Sequence, residues 1–213
     1  MEKLAIFDVD YTITSRETLR QLYYFSIKKY PKNIIYGPRA VLSGIMFLLG
    51  VFDEKRTKEM FLKFVHGIEK EKMEKLVKEF YEEKLSKILY KDAVDMMKKL
   101  KGQGYRIYLI SASPEFYLKE LYAIEEVDRI LGTRFKITEN THTRFMEGNN
   151  CKGQEKVTRL MEAIEEEGIE VDFKESYMFS DSLSDLPLLN LVGKPYLINY
   201  KKHYGNIEVL KWR

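Results

Sequence analysis

The sequence has little of what would place it among disulfide-rich, collagen-like or disordered proteins. A single cysteine, Cys151, excludes an internal disulfide, and because no secretory segment is recognisable at the start, we expect a cytoplasmic protein. Only 12 glycines and 5 prolines occur, while hydrophobic residues make up 45% of the chain, a composition typical of a protein with a folded core. The 213 residues suffice for one domain with a sizeable insertion or for two small domains.

Neither sign of charge is in large excess. The chain has 36 basic and 33 acidic residues, which gives a net charge of +3. This balance argues against a surface built to neutralise the phosphates of a nucleic acid. We therefore expect no nucleic-acid partner.

Long hydrophobic runs are also missing. The stretch from Ala40 to Phe52 (AVLSGIMFLLGVF) carries no charge, but its 13 residues fall short of the roughly 18 to 20 that a membrane-spanning helix needs. We expect no stable membrane insertion. The leading interpretation is a helix buried under an inserted domain. The alternatives are an apolar wall that faces a substrate and a contact with a membrane surface.

The sequence does contain an alternation of strand-like and helix-like segments. Four short apolar segments have the pattern of strands buried in a parallel sheet: Lys3–Phe7, Tyr105–Ile110, Ser176–Phe179 and Pro195–Ile198. The helix-like sequence between them predicts an α/β fold with right-handed crossovers. Residues 134–145 are typical of a β-hairpin around Asn140, and we expect the basic end, residues 211–213, to be a solvated tail.

Almost a hundred residues separate the first two predicted strands, far more than one crossover helix requires. Within them apolar residues recur at helical spacing, as at Phe61, Phe64 and Val65, and Glu and Lys alternate on the other face. The pattern predicts a helical cap over residues 14–88 and a core domain made from residues 1–13 and 89–213.

Two carboxylates, Asp8 and Asp10, directly follow the first strand. Ligands of an open parallel sheet bind beyond the carboxyl ends of its strands, and residues two apart in an extended chain project to the same side. Two anions this close repel each other unless a cation lies between them or one of them is protonated. The structural alternative is a polar turn that ends the strand.

A serine ends the second predicted strand. Ser111 is followed by Ala112, Ser113 and Pro114, which suit the start of a helix whose free amides can bind an anion. A purely structural role at the strand end is the alternative.

Charged residues appear in two later segments. Asp181 and Asp185 follow the third predicted strand, where a helix cap is the ordinary explanation. Lys152 and Lys156 lie one helical turn apart, so both can face the same spot, although lysine is common in this chain.

Taken in order, this set resembles the haloacid dehalogenase superfamily of phosphohydrolases. The segments IFDVDYTIT, LISASPEF, CKGQEK and FSDSLSDLPLL are similar to subfamily IB, the phosphoserine-phosphatase-like branch. The resemblance spans nearly the whole chain and implies a Rossmann-like, three-layer α/β core with a parallel sheet and an inserted α-helical cap of the C1 type. Because the second aspartate, Asp10, is present, the resemblance implies phosphate-ester chemistry.

The resemblance also implies roles for the carboxylates. Asp8 would be the nucleophile that forms an aspartyl phosphate, and Asp10 would act as general acid and then as general base. Mg²⁺ would be held by Asp8, by the backbone carbonyl of Asp10 and by Asp181, an all-oxygen set that suits this ion.

The same resemblance implies how the phosphoryl group is bound. Its oxygens would contact three residues: Ser111, Ala112 and Thr12. A lysine would neutralise the charge shared by nucleophile and phosphate; the sequence CKG favours Lys152, whereas the pattern C-x-G-x-x-K favours Lys156, which we prefer. Asp185 would orient that lysine.

Glu17 bears on the substrate. It lies nine residues after Asp8, the spacing at which phosphoserine phosphatases carry a glutamate that contacts the substrate amine. The resemblance therefore implies phosphoserine or a related amino-bearing phosphate as a candidate substrate, although SASP replaces the Ser-Gly-Gly of those enzymes. A surface acid at the start of a cap helix is the structural alternative for Glu17.

The predicted function is an Mg²⁺-dependent phosphatase whose partner is a small-molecule phosphate ester. Two alternatives remain open: a phosphotransferase on the same scaffold, and a non-catalytic module that engages a protein or a membrane through the cap.

Overall fold

The central layer of the protein is a six-stranded sheet, in a computed structural model that describes residues 1–213. From one edge to the other its strands are β4 (Val127–Thr133), β3 (Tyr105–Pro114), β1 (Lys3–Phe7), β7 (Tyr177–Ser180), β8 (Lys194–Ile198) and β9 (Glu208–Leu210). All neighbouring pairs are parallel. The predicted α/β fold is confirmed, and β4 and β9 are strands that the sequence analysis did not identify.

Both faces of the sheet are buried, which is why its strands read as continuous apolar runs. Along β1, Ala5 and Phe7 enter one core and Leu4 and Ile6 enter the other. One face is covered by helix α5 (Lys91–Gly102), and the other by α7 (Gln154–Glu167) and α8 (Leu186–Leu189). The result is a three-layer core.

The insert between β1 and α5 is mainly helical. It contains α1 (Thr18–Lys29), α2 (Gly37–Leu48), α3 (Glu54–Phe61) and α4 (Lys70–Glu83). Helices α1 and α4 pack through Phe25 and Phe80, whose rings lie 5.8 Å apart. Their buried faces are continuous with the apolar core on one side of the sheet.

The predicted hairpin is present as β5 (Phe135–Thr138) and β6 (Thr141–Met146), joined at Glu139 and Asn140, whose φ angles are 49° and 60°. Strand β6 also pairs antiparallel with β2 (Ile68–Glu69), a short strand of the insert. This pairing was not predicted. It joins the insert to the segment after β4 through a second, three-stranded sheet.

The expectation that the apolar segment 40–52 is buried is wrong. Helix α2 covers most of it, but Ser43 is the one buried residue of this helix, and Val41 and Leu42 are 65% and 53% exposed. None of the helices in the structure has the length and apolar character needed to cross a membrane.

The expectation of a solvated C-terminal tail is also wrong, at least for Trp212. Its side chain is buried, with its ring centroid 6.2 Å from that of Phe7 and 5.5 Å from that of Phe179. Strand β9 causes the difference because it brings the end of the chain against the sheet.

Gly132 allows β4 to lie close to the end of β3, and we expect Gly132→Ala to destabilise the protein. A Cβ atom there would lie 2.8 Å from the backbone oxygen of Ser113 and 2.9 Å from Cα of Glu115, so backbone would have to move. The expected loss is about 1–3 kcal/mol in the free energy of unfolding, measured with urea. Gly102→Ala is the control because its Cβ meets nothing within 4 Å, and an equal loss in both variants would contradict the explanation.

Candidate active site

Charged side chains meet at the carboxyl edge of the central strands and line a cavity of about 140 Å³. Asp8 and Asp10 follow β1, Ser111 lies in β3 near its end, and Asp181 and Asp185 follow β7. Because parallel strands end at a common edge, residues from distant parts of the sequence become neighbours. The remaining walls of the cavity are Tyr11, Ala112, Lys152, Lys156, Ser182 and Ser184.

A buried ion-pair triad lies at the centre of this site. The Nζ atom of Lys156 is 2.5 Å from Oδ1 of Asp8 and 2.6 Å from Oδ2 of Asp185, and all three side chains are at most 10% exposed. Burial opposes the charge on Lys156, but the two carboxylates outweigh it and raise the pKa of the ammonium. Burial likewise raises the pKa of Asp8 to about 7, against the pull of Lys156. Lys156 is therefore a cation held against the predicted nucleophile.

Asp185 positions this lysine from the far side. Its Oδ2 also accepts a hydrogen bond from Oγ of Ser180 at 2.8 Å. Its other oxygen, Oδ1, is buried without a hydrogen-bond partner. Asp185 stands at the N-cap position of α8, but its side chain makes no capping hydrogen bond there.

Thr12 contributes to the site differently from the predicted phosphate contact. Its fully buried hydroxyl donates to Oδ2 of Asp8 at 3.3 Å and accepts from the backbone N–H of Asp181 at 2.9 Å. Both partners belong to the protein, and Thr12 is not among the residues that line the cavity. Thr12 thus ties the loop after β1 to the loop after β7.

Asp10 is oriented by two donors, one from each side of the site. Its Oδ1 accepts from the backbone N–H of Thr18, at the start of α1, at 2.6 Å. Its Oδ2 accepts from Oγ of Ser113, in β3, at 2.6 Å. The carboxylate therefore lies where the insert meets the core.

The segment after Ser111 remains extended, so the helix predicted to begin there starts later. β3 continues to Pro114, which pairs with Thr133 of β4, and the short helix α6 (Glu115–Leu118) begins beyond it. The Ser111 side chain is buried, and its Oγ accepts from the backbone N–H of Ser113 at 3.0 Å. Ser111 and Ala112 both line the cavity.

The predicted magnesium ligands fit a metal site in which all ligands are oxygens and only a few come from protein side chains. No group of three or more His, Cys, Asp or Glu side chains is arranged to hold a metal. The predicted set has two carboxylates, Asp8 and Asp181, and one backbone carbonyl, and Mg²⁺ in phosphoryl-transfer sites is commonly held by one or two carboxylates together with water and phosphate oxygens. Both carboxylates face the same cavity, and burial, with repulsion from Asp185, raises the pKa of Asp181 to about 6. A bound cation would relieve that cost.

Lys152 and Glu17 lie on a second, larger cavity of about 510 Å³ between insert and core, which shares Lys152 and Ala112 with the smaller one. Lys152 forms an ion pair with Glu54 and is 42% exposed. Glu17 caps α1, and its Oε2 accepts from the backbone N–H and from Nε of Arg20 at 3.0 and 2.9 Å. The geometry favours Lys156 over Lys152 as the lysine beside Asp8.

The comparison with known families decides the identity of this arrangement. The model of the family described as "haloacid dehalogenase-like hydrolase" matches residues 5–190, which include every residue of the ion-pair triad. The chain belongs to this family.

Two solved structures share the fold of this haloacid dehalogenase-like hydrolase. A Bordetella pertussis protein of unknown function matches with a TM-score of 0.84 at 20% identity, over 94% of this chain and 92% of that one. A substrate-bound phosphoserine phosphatase matches with a TM-score of 0.65 at 17% identity, over 94% and 88%. The phosphoserine-phosphatase-like fold predicted from the motifs is confirmed.

A relative with a named activity aligns with this chain over nearly the full length of both proteins. The histidinol-phosphatase of Neisseria meningitidis serogroup C is 25% identical over 206 residues, which cover 93% of this hydrolase and 91% of the relative. The family match, the shared fold and the phosphatase relative together identify the chain as a hydrolase of the phosphatase type.

Sequence analysis missed residues of the hydrolase that join the insert to the site. Nζ of Lys58, in α3, donates to the backbone oxygen of Ala112 at 2.7 Å and to Oδ1 of Asn150 at 2.6 Å. Burial lowers the pKa of Lys58 to about 8. A lysine within a charged helix gives no sequence signal for this contact. Ser113, in contrast, lies in the segment LISASPEF and could have been identified from its position two residues after Ser111.

In the metal-free hydrolase, we expect the free energy of unfolding to fall as the pH rises from about 5 to about 8. Asp8 and Asp181 have folded-state pKa values of about 7 and about 6, so the folded protein retains protons that ordinary carboxyls of the unfolded chain have released. The folded state binds more protons, and stability therefore decreases with pH, by an amount on the order of 4 kcal/mol.

Urea unfolding in EDTA at three pH values measures this change. Adding Mg²⁺ should restore stability at the highest pH, because a cation favours both ionised carboxylates. A free energy of unfolding that rises over this range in EDTA would contradict the prediction.

Proposed function

We propose that the protein is an Mg²⁺-dependent phosphomonoester hydrolase that acts on a small phosphorylated metabolite through an aspartyl-phosphate intermediate. The observation that carries the proposal is the contact of the buried Asp8 carboxylate with Lys156, which is itself held by Asp185. A carboxylate that attacks a phosphoryl group needs such a cation, because both reactants are anionic.

The residues support a reaction in two steps, transfer of the phosphoryl group to Asp8 and its hydrolysis by water. An oxygen of Asp8 attacks phosphorus as the bond between phosphorus and the leaving oxygen breaks, and Asp10 gives that oxygen a proton. Asp10 then takes a proton from water, whose oxygen attacks the same phosphorus, and inorganic phosphate leaves as the Asp8 carboxylate is regenerated. The donors from Thr18 and Ser113 hold Asp10 for both transfers.

Other residues of the cavity would bind the phosphoryl group and the metal. Ser111 and the backbone around Ala112 would bind phosphoryl oxygens, while Asp8, the carbonyl of Asp10 and Asp181 would hold Mg²⁺. The ion would supply positive charge to the phosphoryl oxygens in the transition state. Lys156 would neutralise the charge shared by Asp8 and the phosphate.

An amino-bearing ester is the substrate class that the larger cavity supports best. Histidinol phosphate and phosphoserine, named in the descriptions of the relative and of the fold neighbour, both carry an amine. The carboxylate of Glu17 lines the larger cavity, which adjoins the smaller one at Ala112 and Lys152. An amine beside Glu17 would therefore belong to a molecule whose phosphate lies near Asp8.

A panel of phosphorylated metabolites, with released phosphate as the readout, tests the proposal. We expect hydrolysis of amino-bearing esters with Mg²⁺ and none with EDTA. Glu17→Gln should raise KM for amino-bearing esters about tenfold, the usual cost of one charge-assisted hydrogen bond, and leave KM for an amine-free aryl phosphate unchanged. Glu162→Gln, on the exposed face of α7, is the matched control.

Two results would contradict the proposal. Hydrolysis that survives EDTA would exclude the magnesium requirement, and the absence of any released phosphate across the panel would exclude the activity. Equal KM changes for esters with and without an amine would remove Glu17 from substrate recognition while leaving the reaction in place.

A further inference from the structure

Helix α2 has two faces of opposite character. Ala40, Ser43, Gly44 and Phe47 line the larger cavity. With residues spaced about 100° apart around the helix, a second set falls within an arc of about 120° on the other side: Val41, Leu42, Ile45, Leu48 and Leu49, the last directly after the helix end. The larger aliphatic residues thus face away from the protein.

This outer face is exposed to an unusual degree. Leu48 and Leu49 are 83% and 70% exposed, and Ile34, Ile35 and Val51 are each more than 60% exposed. Of the 18 exposed large hydrophobic residues in the chain, nine lie between Ile34 and Val51. Scattered apolar residues on a surface need no explanation, but a contiguous set indicates a partner.

The segment that carries this face, residues 18–52, has charge of one sign. Residues 18–52 include five basic residues and no acidic residue. Arg20 is paired with Glu17, and Lys28 and Lys29 are paired with Glu79 and Glu83. The two remaining basic side chains, Lys32 and Arg39, are exposed beside the apolar face. An anionic partner with an apolar interior would complement both properties.

Charge also argues against a second copy of the chain as the partner. The commonest closed dimer is two-fold symmetric, so the same patch would face itself. The basic side chains of the patch would then meet each other with no acidic residue in residues 18–52 to pair with them. An anionic lipid bilayer satisfies the basic groups with its headgroups and the aliphatic groups with its acyl chains.

We propose that the outer face of α2, with Ile34 and Ile35 before it and Val51 after it, docks the protein on an anionic membrane surface. The helix has 12 residues, so it would lie in the interface without spanning the bilayer. The docking is separate from the chemistry at Asp8, and it stands or falls independently of the proposed phosphatase activity.

Flotation of the full chain with lipid vesicles tests the proposal. We expect binding to vesicles that contain phosphatidylglycerol, weaker binding to pure phosphatidylcholine, and loss of binding at high salt. Leu48→Ser combined with Leu49→Ser should weaken binding about tenfold or more, because two exposed leucines lose their apolar contact. Lys32→Glu combined with Arg39→Glu should remove the preference for phosphatidylglycerol.

Met161→Ser is the matched control, since Met161 is 46% exposed on α7, a helix outside the insert. Thermal unfolding of every variant checks that the fold is retained. The proposal is overturned by a wild-type chain that does not float with anionic vesicles, or by the double leucine variant binding as well as the control. It is also overturned if the chain forms a dimer in sedimentation equilibrium that the double leucine variant abolishes, because a second copy would then cover the face.

Discussion

Asp8→Asn is expected to lower the rate of phosphate release by at least about 10³-fold, the scale of loss seen when a nucleophile is removed. An amide of the same shape cannot form the acyl phosphate, whereas Lys156 would still have the carboxylate of Asp185 as a partner. The loss should therefore appear in kcat while the protein remains folded. Phosphate release from an aryl phosphate with Mg²⁺ is the measurement.

The control for this prediction is Asp95→Asn, an exposed position on α5 that does not line the cavity. An acid-quenched reaction should contain phosphorylated protein for the wild type and none for Asp8→Asn. If Asp8→Asn retained activity within tenfold of the wild type, another group would have to be the nucleophile, and the assigned mechanism would be wrong.

Lys156→Met is expected to abolish activity and also to lower the free energy of unfolding by about 3–5 kcal/mol. The substitution keeps most of the length of the side chain but leaves the carboxylates of Asp8 and Asp185 buried and without their shared cation. Removing one partner of a buried ion pair is costly because the remaining charge is neither solvated nor compensated.

The pH dependence gives this prediction a second readout. Without the ammonium, protonation becomes the way to relieve the repulsion between the two carboxylates, so the folded-state pKa of Asp8 rises further. The stability deficit of Lys156→Met should consequently be larger at about pH 8 than at about pH 5. Urea unfolding of both proteins at the two pH values measures the deficit.

Lys152→Met is the matched control for Lys156→Met. Lys152 is 42% exposed and is paired with Glu54, so its loss should cost no more than about 1 kcal/mol. Equal losses of stability in the two variants would mean that the buried triad does not carry the cost. Equal losses of activity would reopen the choice between the two lysines.

Much of the core could be predicted because its signals are local. The continuous apolar runs at residues 3–7 and 105–110 arise from burial on both faces of a parallel sheet, and the structure has strands at both places. Strand β9 could not be identified in the same way. It has three residues, and its pairing with β8 depends on the path of the preceding loop.

The apolar segment 40–52 shows the limit of reasoning from hydrophobicity. Thirteen uncharged residues predict burial, because burial is the usual fate of such a run. Which face of a helix meets the protein depends on its neighbours, however, and here the small residues Ser43 and Gly44 face the cavity. The sequence could not distinguish a helix buried within the protein from one whose apolar face is exposed at the surface.

Some residues of the candidate site could be predicted from the sequence, and others could not. Asp8, Asp181 and Ser111 could be placed together because the ends of parallel strands converge. The contacts of Lys58 and the hydroxyl bonds of Thr12 could not, since each joins segments whose relative position is set by tertiary packing.

The pairing of β2 with β6 affects how the chain can be divided. Truncation of residues 14–88 at the predicted boundaries would remove the strand that covers β6 at His142 and Thr141. The hairpin would then present a bare edge, which is a template for aggregation. A minimal catalytic fragment should accordingly also replace residues 134–147 with a short linker, because hairpin and insert form one structural unit that two separate stretches of sequence build jointly.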